Sequence, residues 1–178
     1  MAADLLVARP RLLEWIARRP EPGPGLVKIR VHGDYHLGQL LVREGDFVIL
    51  DFEGEPGRSV AERRAKQSPM KDVAGMLRSF DYAAYNVLYK AAKVHPDALD
   101  RLEPWARIWR TWMSAEFLKV YRGVAAELLP ADPLAARQLL ELLRLEKALF
   151  ELQYELDYRP DWVRIPLMGI LHLIRGDD

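Results

Sequence analysis

Three side chains that could perform phosphate chemistry lie within residues 31–56. Asp34 follows a short apolar run, Gln39 comes five residues later, and Asp51 ends another apolar run. Phosphoryl transfer from ATP needs a carboxylate that orients the acceptor hydroxyl and takes its proton. It also needs hard oxygen ligands that hold Mg²⁺ on the phosphates. The residue types in this segment fit both requirements.

The order of these residues matches a pattern of protein kinases, in which a loop Asp precedes an amide by five positions and a later Asp opens an Asp-Phe-Gly turn. Asp34 and Gln39 keep that spacing, and residues 51–54 read Asp-Phe-Glu-Gly, with one residue inserted. Each short motif is weak alone, but the combined order is much more specific. The alternatives are a turn aspartate for Asp34 and a strand-end cap for Asp51.

Two histidines flank the loop aspartate. For His32 we favour a hydrogen-bonded residue that braces the backbone over a metal ligand, and for His36 a structural or phosphate-neighbouring role over direct chemistry. A metallohydrolase built on His32, Asp34 and His36 is an alternative, but that class usually needs further ligands on strand ends. The remaining histidines, His95 and His172, lie in helical context.

Short strands have to position this loop. Apolar runs predict them at residues 27–31, 40–42 and 47–50. The last two runs are joined by residues 43–46, which predict a hairpin with a four-residue loop. Such a hairpin would bring Asp51 close to Gln39.

Helices account for most of the remaining chain. Residues 4–19 show the apolar spacing of an amphipathic helix, and residues 20–25 form a proline- and glycine-rich linker. After Pro56-Gly57 the pattern is helical to the end. We expect prolines to divide this region into separate helices, at positions 96, 104, 130, 133, 160 and 166.

Two helix starts can be placed from capping residues. Ser68 is predicted as an N-cap and Pro69 as the first helical residue, with Asp72 stabilising the first turn through the helix dipole. Asp132-Pro133 is a second start of the same kind.

Trp105, Trp109 and Trp112 recur at helical spacing on one face, and we expect this aromatic stripe to pack in the core. Together these elements predict an α+β fold that is mostly α, with a helical bundle and one small sheet that positions the predicted site.

Composition excludes several classes of function. The 178 residues are 50% hydrophobic, and 26 Lys and Arg balance 26 Asp and Glu. This neutrality gives no electrostatic argument for binding to nucleic acid or to anionic lipid, and we expect neither partner. The absence of cysteine excludes disulfides, thiolate metal sites and thiol catalysis. We find no secretory signal and no apolar run long enough to span a bilayer, and therefore expect a soluble cytoplasmic protein.

Four segments together resemble maltokinases, including those fused behind trehalose synthase. They are residues 32–39 (HGDYHLGQ), 51–56 (DFEGEP), 68–84 and 145–162. Related aminoglycoside and choline kinases have Asn where Gln39 stands, so Gln39 favours the maltokinase branch. The resemblance extends from about Val27 to Ile174.

This resemblance implies the C-terminal lobe of a protein-kinase-like (aminoglycoside phosphotransferase-like) fold that uses ATP and Mg²⁺. The γ-phosphate would pass to the anomeric hydroxyl of maltose, giving maltose 1-phosphate for α-glucan (glycogen) synthesis. By the same resemblance Asp34 is the catalytic base, Gln39 and Asp51 hold the metal, and Glu53 supports the metal loop, alongside His32 and His36.

The resemblance also places the sugar site on the late helix. Lys147, Phe150 and Tyr154 share one helical face, where an ammonium and aromatic rings would suit hydroxyls and apolar ring faces. The family is expected to have Tyr where Phe150 stands. An equally weighted alternative places Phe150 and Tyr154 in the core and pairs Lys147 with Glu151.

We expect residues 1–178 to form a single domain, with a leading helix (1–19), the catalytic and metal loops (27–56) and a helical subdomain (60–178). No nucleotide-binding N-lobe precedes residue 27, so we expect the isolated chain to be inactive. Its partners would be maltose and the missing lobe or a trehalose synthase domain, and exposed surface left by that lobe could drive homodimerisation.

Two other functions stay open. The chain could belong to a kinase of another small alcohol, such as an aminoglycoside or choline. It could also be a non-catalytic lobe that binds sugar or docks a partner domain. A complete set of Asp34, Gln39 and Asp51 argues against the second, because a binding module does not need all three.

Overall fold

The computed structural model describes residues 2–18 and 26–176. The helices are α1 (Ala2–Ala17), α2 (Val60–Arg64), α3 (Met70–Val94), α4 (Ala98–Val124), α5 (Pro133–Tyr158) and α6 (Arg164–Arg175). The strands are β1 (Leu40–Arg43) and β2 (Asp46–Ile49), and short 3₁₀ turns cover Leu37–Gln39, Ala126–Leu128 and Pro160–Trp162. The predicted mostly helical α+β architecture with a small sheet is confirmed. The linker at 20–25 lies outside the described residues.

The hairpin is confirmed, but its loop is shorter than predicted. Arg43 pairs with Asp46 in the antiparallel register, so the turn consists of Glu44 and Gly45 alone. Both have positive φ, 53° and 84°. Two consecutive left-handed residues are typical of the tight turn that matches the twist of a hairpin.

The first predicted strand is wrong. Of residues 27–31, only Ile29 is bridged, to Gln67. The two backbones exchange hydrogen bonds of 2.9 Å in both directions. This segment therefore reaches the site as an extended chain tied to the residues before α3.

The core lies along α3, which packs against both α4 and α5. One cluster of buried apolar residues on α3 consists of Met70, Val73, Ala74, Met76, Leu77 and Phe80. A second cluster joins α5 to α6 through Leu145, Ala148, Ile170 and Leu173, and α1 packs against it. The long helices thus support the polar loop, which we define as residues 32–39 and which is hydrogen-bonded to α3.

Prolines mark fewer helix boundaries than predicted. Asp132 caps α5 as expected, since its carboxylate accepts N–H bonds of 3.1 Å from Leu134 and Ala135. Pro104, however, lies inside α4, and Pro166 lies in the first turn of α6. A first-turn proline loses no helical hydrogen bond. For Pro104, packing of the long helix against α3 outweighs the missing donor.

The tryptophan stripe is not in the core. Trp105, Trp109 and Trp112 are 68%, 42% and 69% exposed, although Trp109 meets Phe80 edge-on with ring centroids 6.3 Å apart. The helix instead buries Arg110, which pairs with a carboxylate of α3. Helical spacing shows which residues share a face, but not which face the tertiary fold covers.

No described helix is long and apolar enough to cross a bilayer.

Candidate active site

Asp72 anchors the polar loop to the start of α3. Its two carboxylate oxygens accept backbone N–H bonds from His32 at 2.7 Å and Gly33 at 2.9 Å. The predicted first-turn aspartate is therefore in place, but it binds the loop rather than serving only the helix dipole. Gly33 has φ 88°, and a side chain there would come within 3.2 Å of Gly54. Only glycine suits this close approach of the two loops.

Ser68 takes a smaller part in the helix start than predicted. The N-cap of α3 is Pro69, and the helix begins at Met70, one residue later than the sequence indicated. The Ser68 hydroxyl accepts the Met70 N–H at 3.3 Å.

His32 connects the loop with the end of β2. Its ring Nε2 lies 2.6 Å from the Leu50 carbonyl, which requires the proton on Nε2, and its Nδ1 accepts the Asp34 N–H at 3.3 Å. The buried ring also packs against Tyr35 and Phe52. These contacts are those of a residue that braces the backbone.

Asp34 is held by a cation from the far end of the chain. Its Oδ1 lies 2.9 Å from Lys147 Nζ, and the same ammonium lies 2.6 Å from Glu55 Oε1. Burial opposes the positive charge, but the carboxylates of Glu55 and Asp34 outweigh it and raise the pKa of Lys147. The alternative pairing of Lys147 with Glu151 is not found, because Glu151 binds Arg78.

Glu55 is a site residue that the sequence analysis missed. It is only 3% exposed, and its second oxygen accepts a hydrogen bond from Arg58 at 3.2 Å. Its position in the DFEGEP segment was the available signal, but its partner lies 92 residues away and is visible only in the folded chain.

The hairpin brings Gln39 and Asp51 together as expected. The Gln39 amide donates to Asp51 Oδ2 at 3.2 Å, and the Leu50 N–H donates to the Gln39 carbonyl at 2.9 Å. Asp51 has φ 61°, an uncommon conformation for a residue other than glycine. Strained backbone of this kind is frequent at functional sites.

The side-chain oxygens of Gln39 and Asp51 are suitable ligands for a Mg²⁺ ion that is bound to a nucleotide. No group of three or more His, Cys, Asp or Glu among residues 2–18 and 26–176 has the geometry of a protein-only metal site. Mg²⁺ bound to phosphates needs only one or two side-chain ligands. The Asp51 carboxylate and the Gln39 amide oxygen, after rotation of the amide, would provide them.

Glu53 contacts Arg63 of α2. Its carboxylate lies 3.7 Å from Arg63 Nη1, and its backbone carbonyl accepts from the same atom at 3.2 Å. Glu53 therefore ties the loop after β2 to α2, which agrees with a supporting place rather than a ligand.

His36 lies beside Asp34. Its Nδ1 accepts the Gly38 N–H at 3.0 Å, and its Nε2 is 3.8 Å from Asp34 Oδ2. Burial lowers the pKa of His36, outweighing the opposing charges of Asp34 and Asp51. The ring is thus favoured in its neutral form, with the proton on Nε2.

A cavity of about 570 Å³ opens from this loop along α5. Asp34, His36 and Lys147 line one end of it, and Phe150 and Tyr154 line its length. Lys147 Nζ lies 5.4 Å from the Phe150 ring centroid, and the Tyr154 side chain is exposed. The alternative that places these two rings in the core is therefore wrong.

A buried ionic network adjoins the cavity through Glu151, which is one of its lining residues. Arg78 is 1% exposed and contacts Asp81 at 2.6 Å and Glu151 at 2.8 Å, while Arg110 reaches Asp81 at 3.2 Å. Burial raises the pKa of Glu151 against the charge of Arg78. No sequence pattern predicted this network, because charged residues on a helix usually mark a solvated face.

The far end of the cavity combines aromatic and charged groups. Tyr82 and Trp162 stack with centroids 6.2 Å apart, and the Tyr82 hydroxyl donates to Glu155 at 3.0 Å. Arg159 donates to the same carboxylate oxygen at 2.7 Å. Neither this corner nor its residues were singled out from the sequence.

Comparison with known proteins identifies the relatives. No family model matches the chain. It is similar to glucosamine kinases. The one from Streptacidiphilus jiangxiensis is 33% identical over 150 residues, which are 84% of this chain and 32% of the relative. The one from Mycolicibacterium smegmatis is 32% identical over 169 residues, 93% of this chain and 39% of the relative.

Solved structures agree with the sequence relatives. A glucosamine kinase in complex with glucosamine, ADP and inorganic phosphate has a TM-score of 0.70 at 29% identity, covering 99% of this chain and 48% of that one. A second crystal form of a glucosamine kinase gives 0.69, covering 98% and 45%. The chain thus spans less than half the length of each of these proteins.

The assignment to maltokinases is wrong. The relatives and structural neighbours found are glucosamine kinases, not maltokinases or aminoglycoside phosphotransferase-like kinases. The predictions that depended on this assignment are also without support: maltose as the substrate, maltose 1-phosphate as the product, a role in glycogen synthesis and a trehalose synthase partner. The resemblance rested on short motifs such as residues 32–39 and 51–56, and short motifs do not describe the lining of the cavity.

Proposed function

We propose that this chain is the acceptor- and metal-binding part of an ATP-dependent kinase of amino sugars, with glucosamine as the acceptor. The observation that carries the proposal is the position of Asp34 at one end of a sugar-sized cavity, held there by Lys147. Similarity to glucosamine kinases, one of them in complex with glucosamine and ADP, supports the choice of substrate.

Asp34 would act as the general base. An acceptor hydroxyl attacks the γ-phosphorus, the new O–P bond forms, and the bond to the bridging oxygen breaks with its electrons on ADP. The hydroxyl proton passes to Asp34. Lys147 lies beside this carboxylate and keeps it oriented before the sugar binds.

Gln39 and Asp51 would hold Mg²⁺ at the nucleotide. The metal neutralises charge on the phosphates. His36, with its proton on Nε2, lies 3.8 Å from Asp34 and would donate a hydrogen bond to a phosphate oxygen without adding charge. His32 and Glu53 would position the loops, and Phe150 and Tyr154 would provide ring faces for the sugar.

We further propose that residues 1–178 act as one domain and that a separate lobe grips ATP. This chain covers 32% and 39% of the two glucosamine kinases compared above, whose remaining length can supply such a lobe. The isolated chain should then bind nucleotide weakly and show no turnover. Homodimerisation stays a prediction, which sedimentation velocity would test.

Calorimetric titration of the purified chain tests the sugar assignment. Glucosamine should bind, and maltose, choline and an aminoglycoside should not. Asp34→Asn should weaken glucosamine binding, whereas Asp161→Asn, in an exposed carboxylate paired with Lys93, should leave it unchanged. Binding of maltose with equal affinity would contradict the proposal. Glucosamine-dependent ATP consumption by the chain alone, abolished by Asp34→Asn, would contradict the separate lobe.

A further inference from the structure

Glu155 is a buried carboxylate of which one oxygen accepts hydrogen bonds and the other accepts none from the described residues. It is 1% exposed and lines the far end of the cavity. Its Oε1 accepts from both the Tyr82 hydroxyl and Arg159. Its Oε2 is buried and has no hydrogen-bond partner within residues 2–18 and 26–176. Leaving a buried acceptor unsatisfied is unfavourable, so this position favours a ligand that donates.

The rings around Glu155 favour a cation as that donor. The Arg159 guanidinium carbon lies 5.1 Å from the Tyr154 ring centroid and 5.2 Å from that of Trp162. A positive group already lies against these ring faces, where the aromatic quadrupole attracts it. The corner is therefore suited to positive charge in both its carboxylate and its aromatic parts.

The distance from the loop to this corner suits one sugar ring. Lys147, which binds Asp34, and Glu155 are separated by about two turns of α5, roughly 12 Å at the rise of an α-helix. A pyranose with a hydrogen bond at each end covers a similar span. Glu151 lies between the two, but Arg78 engages its carboxylate at 2.8 Å and 2.7 Å.

We propose that Glu155 binds the ammonium group of an amino sugar and so selects hexosamines over neutral hexoses. This inference rests on the proposed sugar-binding function of the cavity. A charged N–H to carboxylate bond would satisfy Oε2, and neither glucose nor N-acetylglucosamine can supply one. Glu155 is thus a specificity-determining residue, distinct from the groups that move the phosphate.

Titration of the chain and of Glu155→Gln with glucosamine, glucose and N-acetylglucosamine tests the proposal. Glutamine keeps the volume and an acceptor oxygen for Tyr82 and Arg159. Affinity for glucosamine should fall about tenfold or more, as for the loss of a charged hydrogen bond, while affinity for glucose should change little. Asp157→Asn is the matched control, since Asp157 is an exposed carboxylate on the same helix paired with Gln153.

The outcomes separate this inference from the proposed function. A parallel loss for glucosamine and glucose, or no loss, would overturn the role of Glu155 but not the sugar kinase. If Glu155→Gln does not fold, as judged by circular dichroism, the unmodified chain still decides. A clear preference for glucosamine over glucose and N-acetylglucosamine supports the inference, and equal affinities overturn it. Binding of none of the sugars overturns the proposed function as well.

Discussion

Lys147 of α5 places its ammonium 2.9 Å from the carboxylate of Asp34, across 113 residues of sequence. The contact joins the polar loop to the helix that lines the cavity. Because Glu55 shares the same ammonium at 2.6 Å, the cation is held between two acids and fixes the position of both.

We expect Lys147→Met to destabilise the protein and weaken sugar binding. Removal of the ammonium leaves the buried Glu55 carboxylate without its nearest cation, which should lower the free energy of unfolding by about 3 kcal/mol. Urea unfolding measures this loss. The double variant Lys147→Met with Glu55→Gln should recover part of it, because the uncompensated charge is gone. If the changes in unfolding free energy of the two single variants simply add in the double variant, Lys147 and Glu55 do not stabilise each other.

The contribution of Asp72 to stability can be measured by comparison with an aspartate at the same position of another helix. Asp72→Asn replaces an acceptor of two backbone bonds with an amide that cannot accept both, and we expect a loss of about 2 kcal/mol in thermal unfolding. Asp100→Asn is the control, because Asp100 holds the same first-turn position in α4. Equal effects of the two substitutions would show that Asp72 stabilises the protein only through its interaction with the helix dipole, and not by anchoring the loop.

Because His36 is favoured in its neutral form, we expect the protein to lose stability as the pH is lowered. Its folded pKa lies below the ordinary value of about 6.5, so the unfolded chain binds more protons between those two values. Stability should therefore fall as pH decreases through 6.5 towards the folded pKa. His36→Asn should remove part of this slope in melting temperatures measured from pH 7 to pH 5. An unchanged slope would exclude His36 as its source.

The proposed metal pair predicts a Mg²⁺-dependent effect on nucleotide binding. Asp51→Asn should weaken binding of Mg–ADP about tenfold, as for loss of a charged ligand, and leave binding of ADP without metal unchanged. Fluorescence titration measures both, with Asp46→Asn at the other end of β2 as the control. Equal weakening with and without Mg²⁺ would count against a ligand role.

The Asp34–Gln39 spacing and the hairpin that returns Asp51 could be predicted, because both depend on neighbours a few residues apart. The predicted strand at 27–31 failed for a related reason, since its pairing requires Gln67, outside the local pattern.

The polar pairs of the cavity could not be predicted in the same way. Glu155 and Tyr82 are 73 residues apart, as are Arg78 and Glu151. In sequence, these charged residues resemble those of any solvated helix face. Only the packing of α3 against α5 turns that face inwards and makes the charges partners.

By itself the sequence determined the helical character of the chain, the hairpin and the spacing of Asp34, Gln39 and Asp51, because capping, periodicity and spacing act over a few residues. The tertiary structure decided which face of each helix is buried, and thereby exposed the Trp105 stripe and enclosed Glu155. It also decided that Lys147 meets Asp34. These outcomes depend on how distant helices pack, since a side chain's partner and its burial are properties of the assembled fold.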